Sequence, residues 1–372
     1  MSPLRPLTAA AKRATPCCSL DPFASSNLRV VGPSLPARMT TTIPKFVDFF
    51  SGVGGASVGA TNAGYRVVLA VDCWRDALDV HQLNHPHAYT QHVHASLPPP
   101  DALALPLPAA GEVWHLHGSP PCTLVSRAAN TTRTEAERAT GAQLTSWFVD
   151  YALASTATTW SIEQVVVPAT VEVMKRAAAL AKGRMDWEIF DLSAFGVPQK
   201  RRRILGGTPH LIAKMRRIRD RPLVVREREK ITPADVFLNP RGTHLRNNTR
   251  RRAAHADRYS DSDCCRPLHR HSYTVCADQP LRWASPASDP APPLAWLTPH
   301  ESAALQTLPP LYSLGTLSNT SAQRAVGNML PPIVMERMLR PGSPSASPPS
   351  PSLRWRPAGC KSSRPPPTAT AT

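Results

Sequence analysis

The sequence predicts an α/β fold, a parallel sheet with helices on both faces, and three observations lead there. Short apolar runs alternate with amphipathic stretches from residue 44 to about 208, the pattern of strands joined by crossover helices. A glycine-rich turn, "SGVGG", separates the first run from the first amphipathic stretch. The second run ends in an acid, Asp72, about twenty residues further on, where nucleoside-binding sheets place a ribose acceptor.

Each element follows from local pattern. "KFVDFF" reads as a buried strand, and "ASVGATNAGY" as a helix closed by Gly64. "RVVLAVD" is a strand, "WRDALDVHQLNH" a helix and "EVWHLHG" a further strand. "TGAQLTSWFVDYALAS" has helical spacing, "TTWSIEQV" is a short strand, and "PATVEVMKRAAALAKG" is a helix. "MDWEIFDLSAFGVPQKRRRILGG" reads as a strand pair around a turn. From about residue 209 the pattern gives way to arginine-rich, irregular sequence, the expected second domain. Regular structure returns near "HSYTVCA" and in closing helices around 298–308 and 319–340. The first of these carries a capping box, with Thr298 at the N-cap, Pro299 at N1 and Glu301 at N3.

Composition narrows the function. Of 372 residues, 43 are Lys or Arg and 26 Asp or Glu, a formal net charge of +17 that implies a polyanionic partner, most simply nucleic acid. No apolar run approaches the ~18–20 residues of a membrane span. The 8 cysteines are scattered without a repeated CxxC spacing, so neither a disulfide framework nor a zinc ribbon is expected, and a reducing compartment is. Cys264, Cys265, His269 and His271 cluster, but their spacing fits no standard zinc motif. Residues 1–43 read as a disordered leader, poor in acids as a transit peptide is, or as sequence upstream of a start at Met39. The Pro/Ser-rich tail, 341–372, is expected to be disordered.

Four candidate sites fall in the ordered region. Gly52, Gly54 and Gly55 let the backbone approach a ligand where a helix begins. The spacing is not GxGxxG and no phosphate-binding lysine follows, which favours adenosylmethionine over a dinucleotide or ATP. In "HLHGSPPCTLVSR", Pro120 and Pro121 rigidify the backbone before Cys122, a thiol held as a nucleophile would be. Glu163 falls at the carboxyl end of a short strand, where a part-buried carboxyl is suited to donating a proton. "FGVPQKRRRILGG" carries Gln199, Arg201 and Arg203. On an extended segment the two arginines share one face, suited to an anionic or carbonyl-rich ligand.

Taken in order, these pieces resemble the DNA cytosine-5 methyltransferase family from about Phe46 to Leu339. "DFFSGVGG" is similar to its adenosylmethionine motif, "SPPCTLVS" to its nucleophile loop, "EQV" to its Glu-Asn-Val, "FGVPQKRRR" to its Gln-x-Arg-x-Arg and "GNMLPP" to its closing motif. The chain departs from the pattern at Thr123, at Gln164, and at Ser96, where an Asp would meet the adenine.

The resemblance implies a Rossmann-like adenosylmethionine-dependent methyltransferase sheet with a small basic target-recognition domain. It implies a catalytic domain over 44–208, a target-recognition region over 209–270 and a C-terminal part of the catalytic domain over 271–340. Cys122 would attack cytosine carbon-6, Glu163 would protonate ring nitrogen-3, and Arg203, supported by Arg201, would hold the cytosine carbonyl or the nucleophile loop. Phe50, Gly52, Gly54, Gly55, Asp72, Pro121 and Asn328 would form the S-adenosyl-L-methionine pocket. The expected partner is double-stranded DNA, bound by a monomer inside the cell, in nucleus or organelle if the source is eukaryotic. A tRNA-directed cytosine methyltransferase and a catalytically silent DNA-binding relative are the two other readings.

Overall fold

The structure, a computed structural model, describes residues 42–93, 105–121, 135–221 and 296–341, with Val236 and three strand segments between them. Strands β1 (Lys45–Phe49), β2 (Arg66–Asp72) and β3 (Tyr89–His92) alternate with helices α1 (Gly55–Asn62) and α2 (Arg75–Asn84). After β4 (Trp114–Gly118) come α3 (Glu135–Ala154), β5 (Thr159–Val165), α4 (Pro168–Leu180), β6 (Asp186–Asp191) and β7 (Arg202–Gly207). Edge strand β3 escapes the sequence pattern because "YTQH" is polar and lacks an apolar alternation.

The seven strands form one sheet in the order β3-β2-β1-β4-β5-β7-β6. The first five are parallel, but β7 runs antiparallel to both β5 and β6, so the sheet is mixed rather than wholly parallel. The reason is the short link from β6 to β7, a single 3-10 turn over Leu192–Phe195 and a bend, which is too short for a parallel crossover. This reversal brings the amino end of β7 to the edge where β1, β2, β4 and β5 end, with Arg203 opposite Val165.

Pleating divides β1 between two layers. Phe46 packs with α1, the 3-10 turn and the later helices, while neighbouring Val47 packs with Trp114, Leu116 and Phe148 of the opposite layer. Both are fully buried, as strands covered on two faces require.

Helix α5 (Pro209–Arg219) lies past the boundary expected at 209, yet packs with the large sheet. Leu211, Ile212, Met215 and Ile218 are its buried face and join the same apolar layer as Phe46. Its outer face carries Arg216, paired with Asp186 and Glu188 of β6, and Arg219, paired with Glu188. The density of arginine hid an amphipathic helix, two of whose arginines pair with the sheet beside it.

Strands β8 (His244–Asn247), β9 (Cys265–Pro267) and β10 (Leu281–Ala284) form a separate antiparallel sheet in the order β10-β8-β9. Because β10 pairs directly with β8, the small sheet reaches past the expected limit at residue 270. The stretch "HSYTVCA" lies outside the described residues, as do the side chains of the Cys264–His271 cluster.

The chain returns through α6 (Pro299–Leu305), α7 (Asn319–Asn328) and α8 (Pro332–Leu339). The capping box forms as the sequence predicts: Thr298 Oγ1 accepts from Glu301 N at 3.2 Å, and Thr298 N donates to Glu301 Oε2 at 2.7 Å. The expected helix over 319–340 is two helices, broken at Met329–Pro331 because Pro331 and Pro332 cannot continue α7.

Candidate active site

A cleft of about 290 Å³ opens at the carboxyl ends of β1, β2, β4 and β5, closed on its far side by the turn between α7 and α8. Open α/β sheets bind ligands at this edge because the turns there leave backbone groups and helix termini unpaired. Phe50, Gly52, Gly55, Asp72, Pro121, Glu163 and Asn328 all line it. Six of the seven expected pocket residues and the expected proton donor therefore share one cavity.

The glycine turn is built for two different reasons. Gly52 has φ +51 and a Cβ there would meet nothing within 4 Å, so its face is open to the cleft. Gly54 and Gly55 answer to packing instead. A Cβ on Gly54 would lie 2.7 Å from the Tyr312 hydroxyl, and one on Gly55 2.3 Å from the Leu330 carbonyl. Gly54, expected in the pocket, does not itself line this cleft. It lets α1 dock against α2 and Tyr312.

Asp72 stands at the end of β2 with Oδ2 accepting from Gly52 N at 2.7 Å and Oδ1 from Trp74 N at 2.8 Å. Burial pushes its carboxyl above the usual range, opposed by those two amides. A second acid, Asp48, lines the same cleft and is 1 % exposed. Burial raises it to about 7, with the Ser57 hydrogen bond (2.6 Å) pulling the other way. Ser57 in turn meets His81 Nε2 at 2.9 Å, and burial lowers that imidazole to about 3. Sequence reasoning missed Asp48. Its signal was an acid among the buried apolar residues Phe46, Val47 and Phe49 of "KFVDF".

Glu163 is 4 % exposed, and Arg203 Nε lies 2.7 Å from its Oε1. The contact is an ion pair without the alignment of a directed hydrogen bond, since Oε1 has no partner by hydrogen-bond geometry. Arg203 therefore faces the acid. Arg201 diverges from it entirely. Buried to 1 % exposure, Arg201 Nη2 donates to the carbonyls of Gly327 and Met329, both at 3.1 Å. The carbonyl-rich ligand expected for this arginine is the protein's own α7–α8 turn, which carries Asn328. Gln199 ties the same region, donating to Leu305 O and Gln306 Oε1, both at 2.9 Å.

Gln164 is fully buried and its Nε2 donates to Pro120 O and to Thr145 Oγ1, both at 3.1 Å, while its Oε1 accepts from Val165 N at 2.7 Å. The longer side chain thus reaches the Pro-Pro segment and pins it to β5 and α3. Cys122, Thr123 and Ser96 lie outside the described residues. The described chain enters the nucleophile segment as far as Pro121, which lines the cleft beside Ser119 and Pro120.

Residues 44–206 match the family model for C-5 cytosine-specific DNA methylase. A type II methyltransferase of Herpetosiphon aurantiacus, M.HgiDI, is 30% identical over 199 residues, covering 52% of this chain and 60% of that protein. Another from the same organism, M.HgiGI, is 46% identical over 43 residues, or 12% of this chain and 34% of that protein. The chain thus spans less than two thirds of the length of either curated relative. The crystal structure of S. pombe Dnmt2 methyltransferase superposes with a TM-score of 0.51 at 13% identity, covering 80% of this chain and 97% of that one; at that identity the likeness concerns the fold.

Proposed function

We propose that this chain, whose residues 44–206 match the family model for C-5 cytosine-specific DNA methylase, transfers a methyl group from S-adenosyl-L-methionine to carbon 5 of cytosine in DNA. The observation that carries the proposal is the convergence on one cleft of the glycine turn and Asp72 with Ser119, Pro120, Pro121 and Glu163.

The residues present fit an adenosylmethionine. Gly52 leaves open space where a side chain would stand. Ser51, 7 % exposed, carries a buried hydroxyl without a hydrogen-bond partner, and Asp72 offers the ribose a carboxylate already held by two amides. Phe50, Pro121 and Asn328 complete the walls. When bound, the cofactor supplies an electrophilic methyl on a sulfonium, a good leaving group.

Carbon 5 of cytosine is a poor nucleophile, and the protein's task is to make it one. The target base is flipped out of the duplex. Cys122, as thiolate, adds to carbon 6 while Glu163 protonates nitrogen 3, drawing electron density into the ring. Arg203 holds Glu163 by Oε1, which leaves Oε2 to face the base. Gln164 keeps Pro120 in place, and the two prolines carry that constraint to Cys122. Arg201 acts as a positioning residue through the turn that bears Asn328. Loss of the carbon 5 proton then expels the thiolate and restores aromaticity, and nitrogen 3 returns its proton to Glu163. Residues from 222 to about 295, which contain the small antiparallel sheet, are proposed as the target-recognition region, with Arg250–Arg252 neutralising phosphates.

The test is the full-length protein with labelled adenosylmethionine and genomic DNA. Label should appear in 5-methylcytosine, Cys122→Ser should abolish it while keeping cofactor binding, and DNA carrying 5-fluorocytosine should form a stable covalent complex. Neither label nor complex from folded protein would refute the proposal.

A further inference from the structure

Strand β4 is buried along its whole length, yet two of its five residues are histidines. His115 and His117 are 0% and 1% exposed, and both stack on Phe46, with ring centroids 5.6 and 6.3 Å away. Apolar side chains would fill that layer without the cost of desolvating two imidazoles. Their nitrogens instead belong to an unbroken string. Thr159 Oγ1 meets His115 Nδ1 at 2.8 Å, and His115 Nε2 meets Ser161 Oγ at 2.8 Å. Ser161 Oγ meets His117 Nδ1 at 2.8 Å, and His117 Nε2 meets Ser119 Oγ at 2.9 Å. One end, Thr159, is half-buried at the amino edge of the sheet. The other, Ser119, lines the cleft.

Every link in this string both donates and accepts. Burial lowers His117 to about 3 and His115 well below the usual histidine value, so each ring is neutral with one N–H. A neutral imidazole donates at one nitrogen and accepts at the other, and a hydroxyl does both. The single proton of Ser161 sits between two rings. With that proton in line, the string points one way along its length, and moving one proton at each link reverses it. Such a string passes a proton from end to end without charging either ring.

We propose that Ser119, His117, Ser161, His115 and Thr159 form a proton relay that clears the cleft, with Ser119 as its mouth. The proposal rests on the methyl-transfer reading, whose last step releases a proton beside a closed-in base. The carbon 5–hydrogen bond breaks and its electron pair forms the carbon 5–carbon 6 double bond as the carbon 6–sulfur bond breaks, leaving the thiolate. The proton passes to Ser119 Oγ as the hydroxyl proton of Ser119 moves to His117 Nε2. The Nδ1 proton of His117 moves to Ser161, that of Ser161 to His115 Nε2, and the Nδ1 proton of His115 to Thr159, whose own proton leaves to solvent. When the cleft reopens to water the string returns to its first polarity, with a proton leaving at Ser119.

The test uses the full-length protein, adenosylmethionine and DNA tritiated at carbon 5 of cytosine. Ser161→Ala cuts the relay in the middle, and Ser161→Thr keeps the hydroxyl. Thr159→Val removes the outlet in nearly the same volume, roughly 13 Å of strand away from Ser119. In Ser161→Ala and Thr159→Val, tritium release should slow about ten-fold or more with cofactor binding unchanged. The adduct between Cys122 and methylated base should then accumulate on ordinary DNA, visible on a denaturing gel, and Ser161→Thr should clear it. A merely structural role would slow every step and build up no adduct. The relay is overturned if folded Thr159→Val and Ser161→Ala release tritium as wild type does, or slow without stalled adduct. Wild-type protein that neither methylates nor forms the 5-fluorocytosine complex would instead overturn the methyl-transfer reading, and the relay's task with it.

Discussion

Replacing Gln164 tests how the nucleophile segment is held. Gln164→Met keeps length and bulk but removes the amide that donates to Pro120 O and accepts from Val165 N. Both of those backbone groups are then left without a partner, while Thr145 keeps its bond to Gly141 O at 2.9 Å. A buried polar group stranded in this way costs about 1–3 kcal/mol, so with two such groups the variant should lose roughly 2–6 kcal/mol of stability. Gln164→Asn, the residue of the family's motif, is the sharper perturbation. Its amide recedes by up to one carbon–carbon bond, ~1.5 Å, which takes a 3.1 Å contact out of hydrogen-bond range. The geometry therefore predicts that Asn weakens this chain. Urea unfolding gives the stability loss, and methyl incorporation under substrate saturation gives kcat for the folded fraction. Both variants should fall in kcat with KM for adenosylmethionine little changed. A stability loss below about 0.5 kcal/mol, the range of an inert surface change, or a gain in kcat from Gln164→Asn would refute the reasoning.

Glu163→Gln keeps the shape of the acid but cannot supply its proton, so turnover should drop about 10²–10⁴-fold with cofactor binding intact by calorimetry. Arg201→Met strands the carbonyls of Gly327 and Met329, and should cost roughly 2–5 kcal/mol and weaken cofactor binding through Asn328; equal cofactor affinity in folded variant would separate the turn from the pocket. Asp48 is raised from 3.8 to about 7, so the folded state holds a proton that the unfolded state releases, and its contribution to stability is present below pH 4 and lost as pH rises to 7. Asp48→Asn should abolish that loss, gaining on wild type by up to roughly 4 kcal/mol across the window, read from denaturation at a series of pH values. Neutralising Arg250–Arg252 should weaken DNA binding at all sequences and lower the salt slope by about 0.9 for each phosphate that these arginines neutralise, whereas weakening at one sequence alone would mean that they read bases.

The sequence by itself determined what local pattern can encode. Apolar runs set the strands, Pro and Gly set their limits, and Thr298 with Glu301 declared a helix start that forms atom for atom. The order of the motifs was enough to group Glu163, Asp72 and Asn328 around a single cleft. Tertiary structure decided which partner each polar side chain takes. Arg201 and Arg203 look equivalent in "QKRRR", yet one reaches across 128 residues to Met329 O and the other pairs with Glu163. Charge and spacing are local quantities, and nothing in them distinguishes an arginine that binds a ligand from one that binds the chain's own carbonyls. The same holds for α5, where Arg216 and Arg219 look like a loss of structure until β6 supplies their carboxylates. It holds also for "HLHGS", where two histidines two residues apart acquire meaning only when β5 brings Ser161 between them. Strand register, set by the packing of the whole sheet, is what turns those separate residues into a connected string.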